Sequence, residues 1–263
     1  MFQLKLTTPP DHLDEYGRPC YVIDQRKGLY EHQNNHLLED ALADGYITSV
    51  GNTLKRWISD EVALASTGRK LDLLEIGGGR GTLFEWVKDS ALTYINVDPG
   101  RLVPRAGDLE RWRDPRYARI GCSAEAIPLE DESVDAIISS ASFDHIPEYR
   151  KALSEVSRLL RKNGSLILTL NNRCSWWKVL LSGTDNLRRR EEEIAREHYF
   201  QWSFSECAAN LSDIIPVRRM GTLIFLPFVP KVWRHLLPIS DRIGGFLAPR
   251  YGAYIVAVCQ KRG

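Results

Sequence analysis

No apolar run in this 263-residue sequence approaches the roughly 20 residues that a bilayer-spanning helix needs, so a transmembrane role is not expected. Met1–Pro10 opens with a short alternating run and a proline pair. It lacks the basic start and long apolar stretch of a signal peptide. A soluble, cytoplasmic protein is expected unless something anchors it. Cysteine is scarce and scattered: Cys20, Cys122, Cys174, Cys207 and Cys259 form no CxxC pair and have no histidine at ligand spacing nearby. That excludes a disulfide framework or a zinc module, and no metal is expected. Neither charge sign dominates, since 35 Lys and Arg face 34 Asp and Glu for a net charge of +1. No global field therefore draws nucleic acid or acidic membranes. Internal repeats and low-complexity segments are absent too. What remains, 43% hydrophobic and 26% charged residues, is ordinary globular usage and enough to build a core.

The length suits one large α/β domain with appended elements. Residues 1–69 are read as N-terminal lid helices. Val50, Leu54, Trp57, Ile58 and Val62 share one helical face there, and a less regular helix spans Leu29–Leu42. Residues 70–173 alternate strands and helices. Leu71–Ile76 is a short apolar run of the kind that forms a buried parallel strand, followed by Thr93–Val97, Ser133–Ser140 and Ser165–Leu170. The clearest helix is Glu148–Lys162, with Tyr149, Ala152, Leu153, Val156, Leu159 and Leu160 as its stripe and Asn163-Gly164 as its stop. Such alternation specifies a parallel sheet with right-handed crossovers. Residues 174–249 break the pattern and are read as a substrate cap or insertion, and 250–263 hold a last core strand. The charge run Arg188–Glu193 is a solvated helix face.

Glu75-Ile76-Gly77-Gly78-Gly79-Arg80-Gly81 ends the first core strand, and Thr82–Val87 can start a helix directly after it. Glycine is needed there because side chains would hold the backbone away from a ligand, and the helix start offers free N–H groups. Spacing discriminates between ligands. The dinucleotide fingerprint GxGxxG needs its third glycine at position 82, which is threonine. Asp98, 21 residues beyond Gly77, ends the next strand, where a carboxylate can accept both hydroxyls of a ribose. Taken singly, Asp98-Pro99-Gly100 can be a plain turn and Glu75 a polar strand end.

Over about residues 70–173 these segments resemble the class I S-adenosylmethionine-dependent methyltransferases, especially the small-molecule branch that includes the ubiquinone and menaquinone methyltransferases. Val97-Asp98, Ala124–Leu129 with Ser133–Ile137, Phe143-Asp144-His145-Ile146 and Glu155–Gly164 follow the glycine turn in the family's order. The resemblance implies a Rossmann-like, mostly parallel seven-stranded sheet with helices on both faces. It implies S-adenosyl-L-methionine as cofactor, held by Glu75, Gly77, Gly78, Gly79 and Gly81, by Asp98 and Pro99 at the ribose, by Ser123 and Ala124 beside the adenine, and by Ser140. The family usually carries an acid where this chain has Ser123, which implies weaker binding.

Methyl transfer from a sulfonium needs alignment and exclusion of water more than covalent help. His145, after Ser133–Ser140, suits a base near neutrality, with Asp144 behind it in rank; the alternative is a cap on the helix starting near Pro147. His198 and Tyr199 are further candidates at the acceptor, or else a helix end packing an aromatic. Asn171-Asn172-Arg173 lacks the prolines and aromatic found in methyltransferases of base amines, which favours an O- or C-acceptor, or an aliphatic amine, over an exocyclic base amine. His32 and His36, at i and i+4, could bind a metal but lack an evident third ligand, and are placed on a lid face. Leu223–Leu237, apolar and aromatic with Lys231 and Arg234, and with Arg242 and Arg250 beyond it, is a buried cap, or else a surface for a lipid-like substrate or a membrane. A small-molecule acceptor is therefore expected. Two rivals stand beside it: a catalytically weak regulatory binder of the same cofactor, and an RNA methyltransferase motivated by Arg101, Arg105, Arg111, Arg113, Arg116 and Arg119.

Overall fold

The computed structural model describes residues 4–21, 45–100, 107–176, 178, 198–225 and 236–263. Two short strands, β1 (His12–Leu13) and β2 (Pro19–Cys20), pair antiparallel near the N-terminus. The main body follows as α1 (Gly45–Ser66), β3 (Leu71–Ile76), α2 (Phe84–Val87), β4 (Ala91–Val97), α3 (Asp108–Trp112), β5 (Tyr117–Ile120) and β6 (Val134–Ser140). A 3₁₀ turn at Phe143–His145 leads to α4 (Tyr149–Leu159), β7 (Leu160–Asn171), α5 (Phe204–Ser212), β8 (Val217–Leu223), α6 (Leu237–Leu247) and β9 (Tyr254–Gln260).

One seven-stranded sheet runs in the order β5-β4-β3-β6-β7-β9-β8. All its strands are parallel except β9, which is antiparallel to both neighbours. The central strands are apolar throughout because both of their faces are covered. Leu74, Ile76, Ile137, Leu166 and Leu168 bury against Ala152, Leu153, Val156 and Leu159 of α4. The alternate residues Leu73, Ile138 and Ile167 bury against Ile58 and Val62 of α1 on the other face. Although residues 1–69 read as a lid, α1 is thus a wall of the core. The five cysteines are free, and no described helix is long and apolar enough to cross a membrane.

The stretch read as a cap is narrower than 174–249. Val217–Leu223 within it is β8, an edge strand of the main sheet. Its Arg218-Arg219 pair is exposed, which an edge tolerates and which hides the strand from a search for apolar runs. The helix of Leu29–Leu42 with His32 and His36, the run 188–193, Arg101, Arg105 and residues 226–235 lie outside the described residues.

Between β3 and β6 the strand order reverses, because the chain leaves β3 outward to β4 and β5 and returns on β3's other side. In an open α/β sheet that reversal opens a crevice at the carboxyl ends of the strands, where ligands bind.

Candidate functional site

The glycine turn leaves β3 at this crevice. Gly77 (φ +69°), Gly79 (+49°) and Gly81 (+71°) all take left-handed backbone, which L side chains rarely adopt. Space constrains two of them further. A Cβ on Gly77 would lie 2.5 Å from the Cβ of Ser142, and one on Gly81 would run into the Tyr117 ring. The Gly77 amide donates to the Val97 carbonyl at 2.8 Å, and Arg80 pairs with Asp108 at 2.7 Å. These bonds fix the turn to β4 and to α3.

Asp98 joins the turn to the end of β4. Its Oδ2 accepts from the Gly79 amide at 2.8 Å and its Oδ1 from the Gly100 amide at 2.8 Å. Arg119, itself buried, donates to the Gly100 carbonyl at 2.6 Å and lies 3.5 Å from Oδ1. A carboxylate offers about four lone-pair positions, so two amides leave capacity for the hydroxyls of a sugar. The two roles considered for this acid, turn former and ligand acceptor, are therefore compatible. Pro99 follows it, half-buried.

Beneath the turn lies a polar layer. Glu75 is buried and accepts a short hydrogen bond from the Tyr94 hydroxyl. Burial pushes its carboxyl up to about 7; the Tyr94 hydrogen bond and the Lys55 charge oppose the shift, and Asp98 adds to it. Lys55 in turn donates to Thr82 at 2.8 Å. Asn96 donates from Nδ2 to the Gly79 carbonyl at 3.0 Å and to the Tyr117 hydroxyl at 2.9 Å, while the Tyr94 and Tyr117 rings stack. Sequence reasoning passed over Tyr94, Asn96 and Tyr117. The available signal was a tyrosine and an asparagine two apart, hence on one face, in a mostly apolar strand.

Beyond β5, the Ser123 hydroxyl donates to the Glu125 carboxylate, and the Glu125 amide donates back at 3.2 Å. An acid, Glu125, thus stands two residues beyond the serine expected to border an adenine, and Ala124 is buried beside it. Ser140 closes β6 half-buried. Next to it, the Ala141 amide donates to the Thr169 carbonyl and hydroxyl at 3.0 Å each.

On the β6 and β7 side of the crevice the structure assembles residues that are distant in sequence. Asp144 is 1% exposed. Its Oδ2 accepts from Asn171 Nδ2 at 2.8 Å and stands 3.4 Å from His198 Nε2. The same Asn171 nitrogen is 3.1 Å from His198 Nε2, and the His145 and His198 rings are 4.2 Å apart. One ligand atom from each of Asp144, His145 and His198 lies within 4.8 Å of the others, a spacing able to hold a cation, although the Asn171 amide already donates into the gap. Asp144, ranked behind His145 from sequence, is the centre of the group, and its Oδ1 is buried without a hydrogen-bond partner among the described residues. Tyr199 contributes its backbone, donating to the Asp144 carbonyl at 3.0 Å, while its side chain is exposed. Just beyond it, Phe200 and Trp202 stack on one another, and Tyr149 meets Phe200 at a tilt and Trp202 edge-on.

Of the described members of the arginine series, Arg113 is exposed and the other three are engaged within the protein. Arg111 binds Asp108 and the Arg80 carbonyl, Arg116 binds Asp114 and the Lys88 carbonyl, and Arg119 is buried under Asp98.

With this geometry in hand, residues 74–168 match the family model described as a methyltransferase domain. The chain has the class I methyltransferase fold. It is similar to an uncharacterized methyltransferase of Mycobacterium tuberculosis, 35% identical over 101 residues that make up 38% of this chain and 40% of the relative. The match thus spans less than half of that relative's length. Among solved structures it is similar to the CurJ carbon methyltransferase, with TM-score 0.57, 18% identity, and coverage of 92% of this chain and 62% of that one. It is also similar to the [4+2]-cyclase SpnF, with TM-score 0.56, 19% identity, and coverage of 79% and 80%. Since one of these neighbours is named for a cyclisation, the class I methyltransferase fold alone does not specify the chemistry.

Proposed function

We propose that this chain is an S-adenosylmethionine-dependent methyltransferase that acts on an oxygen or carbon of a small, apolar acceptor, in the manner of the ubiquinone and menaquinone branch. The observation carrying this reading is the bond from the Gly79 amide to Asp98 Oδ2, which sets the glycine turn and the acid side by side at the switch point. The donor set fits the cofactor. Left-handed glycines present backbone to a ligand, Asp98 has lone pairs left for ribose hydroxyls, and the Ser123–Glu125 pair offers acceptors to an exocyclic amine.

When bound, the cofactor supplies an electrophilic methyl group on a sulfonium. The protein's share is alignment, exclusion of water and proton handling. Asn171 and Asp144 hold His198 in place, and His198 with the adjacent His145 forms a pair that can take a proton from an acceptor hydroxyl or activated carbon. Two observations support this reading over its rivals: Glu125 puts an acid beside Ser123, and Arg111, Arg116 and Arg119 are engaged within the protein.

The test is incubation with methyl-labelled S-adenosylmethionine and fractionated small-molecule extract. Label in an organic-soluble product supports the proposal. Cofactor binding without any transferred label overturns it in favour of a regulatory binder.

A further inference from the structure

Helix α6 carries its amphipathicity reversed. Gly244 packs against the Phe225 ring, Asp241 turns inward to accept from the Phe225 amide at 3.0 Å, and small residues thus face the body. The large apolar residues face water: Ile239 is 55% exposed, Ile243 54%, Phe246 86% and Leu247 72%. At positions i, i+4, i+7 and i+8 they form one continuous stripe. Two aromatic residues adjoin the helix. Trp176, 38% exposed, donates from Nε1 to the Phe225 carbonyl at 2.6 Å, and its amide donates to the carbonyl of Tyr251, which is 48% exposed. Arg242 falls on the stripe's side of the helix and is exposed, as is Arg250. From Leu223 to Tyr251 the only acid is the inward-turned Asp241, against Lys231, Arg234, Arg242 and Arg250.

We propose that α6, with Trp176 and Tyr251, docks this protein onto the surface of an anionic lipid bilayer. An exposed apolar stripe on a helix lying flat, amphipathic aromatics beside it and basic residues at its margin are the elements that bind the boundary between headgroups and acyl chains. Charge decides against a second copy as occupant, because a two-fold pairing through this face would bring the Arg242 and Arg250 of both copies into one interface to which Leu223–Tyr251 offers no outward-turned acid. The surface lies on the side of the molecule where β7 ends: Asn172, next to the acceptor-side Asn171, donates to the carbonyls of Arg250 and Gly252 at 2.9 and 2.8 Å.

The experiment is co-sedimentation of the full chain with vesicles of phosphatidylcholine alone, or with roughly a quarter phosphatidylglycerol, at low and high salt. Expected is binding to the anionic vesicles that salt weakens. The double variant Phe246→Ser, Leu247→Ser should lower the partition coefficient at least about tenfold. Arg242→Gln and Arg250→Gln should each lower it about fivefold. Only exposed side chains are changed, so an unaltered thermal melt verifies the fold of each variant. No binding by the wild type, equal binding by the serine variant, or a wild-type dimer that the serine substitutions dissolve without any vesicle binding would overturn the proposal.

Discussion

Glu75 makes a quantitative prediction possible, because its charge is buried where the glycine turn begins. Its carboxyl ordinarily titrates at 4.5 and is pushed up to about 7 in the folded protein, chiefly by burial. A raised carboxyl means that the native state favours the protonated form. Its contribution to stability is fully present below about 4.5 and is lost as pH rises through about 7. The loss, two and a half pH units at 1.36 kcal/mol each, is about 3 kcal/mol. Glu75→Gln keeps the shape and an acceptor for the Tyr94 hydroxyl but never ionises. Any packing or hydrogen-bond cost of the amide is independent of pH. The stability of the variant minus that of the wild type should therefore rise by about 3 kcal/mol between pH 4.5 and 8, measured by urea denaturation at a series of pH values. A difference that stays flat over this interval would refute the placement of Glu75 as a buried, weakly compensated acid.

Other predictions follow from the same geometry. Gly81→Ala forces a methyl group into the Tyr117 ring at a left-handed position, and should cost about 1–3 kcal/mol in thermal denaturation. Arg158 donates to the Ile127 and Leu129 carbonyls at 2.9 and 2.7 Å and pairs with Glu155 and Asp131. Arg158→Ala should destabilise by about 2 kcal/mol, read from the urea midpoint. With an acceptor in hand, His198→Ala and His145→Ala should each retain cofactor affinity while turnover falls at least about tenfold. Asp144→Asn should change the pH profile of turnover, an effect that loss of packing alone would not produce.

The sequence was most legible where burial is two-sided. β3, β4, β6 and β7 read as apolar runs because helices cover both of their faces. β5 is four residues long and carries Arg119, and β8 carries Arg218-Arg219. Edge strands need apolar residues less, so neither stands out in a search for such runs. Within the site, the glycine turn and Asp98 were legible because backbone conformation and strand ends fix their spacing. The Tyr94, Asn96 and Tyr117 layer was not, since its residues come from two strands and meet only through sheet register. Spacing could not find the union of Asp144, Asn171 and His198 either, because β6, β7 and the cap bring them together from separate parts of the chain.

The central claim is that the turn Gly77–Gly81 and Asp98 together hold S-adenosylmethionine. Isothermal titration calorimetry on the wild type and on Asp98→Ala tests it most directly. Saturable one-site binding by the wild type, weakened at least about tenfold in Asp98→Ala, is the predicted result, since two hydroxyl hydrogen bonds to a charged group are lost. Absence of binding to the wild type, or equal affinity in a folded Asp98→Ala variant, would contradict it.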